Sequence, residues 1–101
     1  MKKIFSALLL LIHLPVHSLS PNDMLVVIGA VKYYNENCQG LSHQGIKKMN
    51  KALRHFDMDE TPIYILEQNF LAASSYQIAS QLGCNGTKNE ANKAGYGGYI
   101  N

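Results

Sequence analysis

Cys38 and Cys84 are the only thiols in a chain of 101 residues, and with four histidines and seven carboxylates they make up most of what could do chemistry. A thiol serves as nucleophile, metal ligand or half of a disulfide, and there is no Cys-x-x-Cys pair to sustain thiol exchange. His43 and His55 fall on one expected helix about 120° apart around its axis, too far round to share a metal ion. His55, Asp57, Asp59 and Glu60 form a metal-like cluster, but it coincides with a helix junction where the incoming dipole favours acids anyway. Glu67 lies between two apolar stripes of the last expected helix, placed to be partly buried. A catalytic site needs a nucleophile or a tuned acid and base in a cleft. With no glycine-rich phosphate loop, haem-attachment motif or internal repeat, no catalytic residue, metal or cofactor is assigned. A small enzyme or metal-binding protein using Glu67 or the His55 cluster is carried as an alternative.

How the cysteines are to be read depends on the compartment. Met1-Lys2-Lys3 is a short positive region, Ile4 to Leu14 is apolar except for Ser6 and His13, and Pro15 ends the run. Too short for a bilayer core, it reads as a secretory signal peptide over 1–18, cleaved after Val16-His17-Ser18. The leader is of Gram-negative type without a lipobox, so the expected location is periplasmic or secreted. Lys2 and Lys3, which leave with it, account for the whole formal charge of +2. A neutral mature chain lacks the long-range field that nucleic acid or an anionic surface would need. No nucleic-acid partner and no stable membrane insertion after cleavage are expected.

A remaining chain of about 83 residues buries too little apolar surface to be comfortably stable alone. An exported chain with two cysteines answers that with a disulfide, and only one intramolecular pairing exists. Closing a loop of this length stabilises by about 4 kcal/mol in the chain-entropy account.

Three helices are expected to hold the pair. Ser20-Pro21-Asn22-Asp23 is a helix start, with cap, proline at the first position and a side chain returning to the cap. Met24, Val27, Ile28, Val31, Tyr34 and Cys38 then recur at three and four, while Leu25, Val26 and Tyr33 lie outside that stripe, so the helix is apolar over more than half its circumference, which fits a central helix or a self-association or partner surface. Ser42 caps a second helix whose seam is Ile46, Met49, Leu53 and Phe56, with Lys47, Lys48, Lys51 and Arg54 on a basic opposite face. Pro62 opens a third, running from Ile63 to Leu82 with a broad buried arc and many small residues, stopped by Gly83. After Cys84 glycine and asparagine dominate, and 85–101 reads as a flexible tail whose Tyr96, Tyr99 and Ile100 could dock on a groove or a partner.

The fold class is therefore all-α: a three-helix up-down-up bundle over 19–84, closed at one end by Cys38–Cys84, with a Gly/Asn/Tyr tail. Size, helicity and a single long-range disulfide make it similar to the acid-stress chaperones of the enterobacterial periplasm. Those are densely charged, whereas this chain is charge-poor and carries a glycine-tyrosine tail, so the family is not claimed. The expected function is protein binding, as an immunity protein, inhibitor, chaperone or secretion accessory. A self-associating envelope component using Leu25, Val26 and Tyr33 is the other reading.

Overall fold

Ser20 caps the first helix from both directions: its hydroxyl accepts from the Asp23 amide at 3.2 Å, and its own amide donates to the Asp23 carboxylate at 2.9 Å. The computed structural model describes residues 20–100, so the expected signal peptide over 1–18 and its cleavage site lie outside the described residues. Helix α1 spans Pro21–Asn37, and α2 spans His43–His55 behind Ser42, whose hydroxyl accepts from the Gly45 amide at 2.9 Å. Both starts lie where the cap residues put them, because each side chain satisfies a backbone donor that the helix leaves orphaned.

Among the described residues four α-helices stand where three were expected. The long third helix divides into α3, Ile63–Glu67, and α4, Phe70–Ala94, at Asn69, whose side chain accepts from the Leu71 amide at 2.9 Å. Within α4, Gly83 is non-helical at φ 76°, ψ −178°, so the helix breaks there and resumes. The Thr87 hydroxyl reaches across the break to the Ala79 carbonyl at 3.1 Å, and it is buried.

The expectation of a flexible tail after Cys84 is overturned. Helix α4 continues to Ala94, and a 3-10 turn, Gly97–Tyr99, follows. Gly95 takes the left-handed conformation that ends α4, with the Tyr96 amide bonded back to Ala91 and the Gly95 amide to Asn92. The composition opposes helix, yet Thr87, Ala91 and Ala94 recur at four and three and are all buried. Tertiary burial outweighs the cost of glycine and asparagine, each below about 1 kcal/mol.

The core is α1 wrapped by the other elements. Met24, Val26 and Val27 are fully buried, with Met49 and Ala52 of α2, Ala72 and Ala91 of α4, and Tyr96, Tyr99 and Ile100 completing the cluster. The closest helix pair is α1 and α4. They meet at Gly29, where a β-carbon would overlap the Ala72 carbonyl, and the buried Ser75 hydroxyl donates to the Val26 carbonyl at 2.6 Å. Near the other end of α1, Tyr76 donates to Glu36 at 2.9 Å and accepts from Asn37 at 3.4 Å. Cys38 and Cys84 form a disulfide there, with Cα atoms 5.7 Å apart, the spacing an unstrained bridge requires. Among the described residues no helix is long and apolar enough to cross a membrane.

Candidate functional site

The residues expected to form a partner surface are for the most part core. Leu25, Val26, Tyr96, Tyr99 and Ile100 are buried, Val26 completely. Tyr33 is half-buried, its ring edge-on to Tyr76 at 5.7 Å. The physical reason is packing: α1 is held against α4 and α3, which takes a second face of it inside, while the ordered C-terminal turn packs on α2 and α4 and brings Tyr96, Tyr99 and Ile100 into the same buried cluster.

The apolar surface that remains outside lies elsewhere. Ile63, Tyr64, Ile65 and Phe70 are exposed, Phe70 by 79%, and Ile46 of α2 is exposed by 45%. Ile46 was expected in the seam of the second helix, and Ile63, Tyr64 and Phe70 in the buried arc of the third. They stand out because α3 ends after five residues and α4 starts on a new axis, so no single face of 63–82 points inward. The signal was present in the sequence as Ile63-Tyr64-Ile65-Leu66, four consecutive apolar residues on a helix, of which one face can bury at most half. Leu66 alone packs against the core.

Beside these residues runs a groove of about 300 Å³ between α1, α2 and α3, walled by Val31 and Lys32, by Ile46 and Met49, and by Ile63 and Glu67. Its lining is mostly aliphatic, with Lys32, Asn35, Asn50 and Glu67 as its polar members, the usual make-up of a binding groove. Glu67 sits in this wall, half-buried. Burial holds its carboxyl above the ordinary carboxylate range, with Lys32 opposing the shift and Glu36 adding to it. A carboxylate and an ammonium lining one groove can orient a docked chain.

The basic face of α2 is solvent-exposed at Lys47, Lys48, Lys51 and Arg54, and it divides by function of position. Lys48 and Lys51, with His55, Tyr96, Gly98 and Tyr99, line a second cleft of about 420 Å³ between α2 and the C-terminal turn. Lys47 and Arg54 stand outside it. Among the described residues no three His, Cys, Asp or Glu side chains converge to hold a metal ion, and the His55, Asp57, Asp59 and Glu60 set is not gathered into one. His55 instead meets the Phe56 ring edge-on at 4.9 Å.

Comparison with protein-family models, with curated proteins and with solved structures finds no match to this chain. The site is therefore read from its own geometry. That geometry consists of one apolar groove with an exposed apolar rim, one cationic cleft, and α2 as the wall between them.

Proposed function

We propose that this chain is an exported, non-enzymatic helical domain that works by holding another protein against the groove between α1, α2 and α3, as an immunity protein, inhibitor, chaperone or secretion accessory does. The observation that carries this is the group of Ile63, Tyr64, Ile65 and Phe70, all exposed, of which Ile63 also lines the groove. An apolar set of this kind on a small stapled domain costs solubility unless a partner covers it, and aromatic side chains are the anchors that protein interfaces favour. Export is supported by the leader pattern and by the Cys38–Cys84 disulfide, a bond typical of oxidising compartments. An enzymatic reading draws no support from Glu67, whose neighbours in the groove are aliphatic residues, Asn35, Asn50 and Lys32.

Self-association remains a second reading, though not through Leu25 and Val26, which are buried. It would use Tyr64 and Phe70, so one pair of substitutions addresses both. The oxidised protein and its Tyr64→Ser/Phe70→Ser variant, each immobilised, are challenged with periplasmic extract, and each is sedimented at high concentration. A partner retained by the wild type and lost by the variant, with unchanged thermal stability, is the expected result. Retention of the same proteins by both, or of none by a wild type that sediments as monomer, would sink the reading.

A further inference from the structure

The cleft on the other side of α2 belongs to neither the groove nor the disulfide. Lys48, Lys51 and His55 recur at three and four along α2 and so share one stripe that faces the C-terminal turn. Across from them stand Tyr96 and Tyr99, with Ala52, Gly95 and Gly98 between, so the cleft is cationic along one wall and apolar along the other. No carboxylate lines it, and among the described residues none of the three basic side chains is engaged in an ion pair. The opposite wall is held in place rather than merely near. The Tyr99 carbonyl lies directly over Gly45, where a β-carbon would overlap it, and Tyr96 and Tyr99 are each 97% enclosed, at 3% exposure. Lys48 lies along Gly98, close enough for its ammonium to meet a β-carbon there at 2.7 Å.

A pre-formed cleft of about 420 Å³ is within the size range of small-molecule sites and too small for a folded partner. Two ammonium groups select negative charge, and the apolar lining of Ala52 on α2 and Tyr96 and Tyr99 opposite admits an apolar body. We propose that this cleft is a second binding site, for a small organic anion: an acidic head group on an aromatic or alicyclic ring, the head on Lys48 and Lys51 and the ring against Tyr99.

The exported, oxidised protein is titrated in low salt with 1-naphthoate, 1-naphthyl phosphate, neutral 1-naphthamide and inorganic phosphate, read by amide chemical shifts. The organic anions are expected to shift residues 48–55 and 95–100 saturably, the neutral amide and inorganic phosphate to bind at least tenfold more weakly. Lys48→Met/Lys51→Met should lower naphthoate affinity at least tenfold. Lys47→Met/Arg54→Met removes the same charge outside the cleft and should leave affinity within twofold. Equal binding of the amide, equal binding of inorganic phosphate, equal losses in the two variants, shifts confined to the α1–α2–α3 groove, or no saturable shift would each overturn the proposal.

Discussion

Gly29 and Ser75 set the distance between α1 and α4, and both are small for a reason that can be tested. A β-carbon at residue 29 would overlap the Ala72 carbonyl, backbone that cannot swing aside, so Gly29→Ala must separate the two helices. Overpacking of this kind costs about 1–3 kcal/mol, and the thermal midpoint is expected to fall by at least about 5 °C for a domain of this size. Ser75→Ala removes a buried donor from the Val26 carbonyl and should cost about 1 kcal/mol by the same measurement. Two titrating groups give windows of the same sign at different pH, each contribution being lost as pH rises. Burial, with Glu90 adding, raises the Tyr96 phenol far above its ordinary range, so its contribution to stability is complete below the unfolded value of about 10 and fades as pH rises beyond it. Tyr96→Phe should flatten the alkaline arm of the stability curve. Glu67 is also raised, so its contribution is present below the ordinary carboxylate value and lost as pH rises through the folded value. Glu67→Gln is expected to raise the thermal midpoint at pH 7, with the difference shrinking toward pH 4. The cap residues Ser20, Asp23 and Ser42 were legible in the sequence because capping is local chemistry. The burial of Leu25 and Val26 was legible only as one of two readings, central helix or exposed association surface, because it depends on how many elements surround α1.

Among the elements, the C-terminal segment departs most from what composition suggests. Helix propensity reads Asn85, Gly86 and Asn89 as breakers, and the buried repeat Thr87, Ala91, Ala94 is too weakly apolar to announce itself without the core it packs on. Gly83 was legible as an interruption, but a glycine at positive φ permits a break and restart as readily as a stop. Asn69 was missed for the opposite reason: one capping side chain inside an apolar periodicity is a faint mark, and the periodicity hid the boundary between α3 and α4. Deleting 95–101 removes Tyr96, Tyr99 and Ile100 from the core, each loss comparable to a large-to-small substitution of about 3–5 kcal/mol for an aromatic. The truncated chain is expected to lose its cooperative thermal transition, whereas removal of a disordered tail would leave the transition intact. Reducing Cys38–Cys84 frees a 46-residue separation and should lower stability by about 4 kcal/mol, measured by denaturant midpoint with and without reductant.

At the scale of the whole molecule, two concavities lie on opposite sides of α2, one aliphatic with an exposed apolar rim and one cationic with a tyrosine wall. The all-α class and the pairing of the cysteines were legible from length, leader and periodicity, since each follows from chain-wide constraints. The groove was not, because it is made where three helices fail to close on one another, and sequence periodicity describes each helix singly. Tyr64 and Phe70, in sequence beside its lining residue Ile63 or at the start of α4, are exposed and support no core, so Tyr64→Ser and Phe70→Ser should each leave stability within about 0.5 kcal/mol, the usual range for exposed sites. The central claim is that a protein partner is held at this rim. It is tested most directly by placing a photo-crosslinking phenylalanine derivative at Tyr64, at Phe70 and, as control, at the exposed Lys88, and irradiating the exported protein in its producing cells. A discrete adduct with a second protein at Tyr64 and Phe70, and not at Lys88, is the result this account predicts. No adduct at the rim, or the same adducts at all three positions, would contradict it.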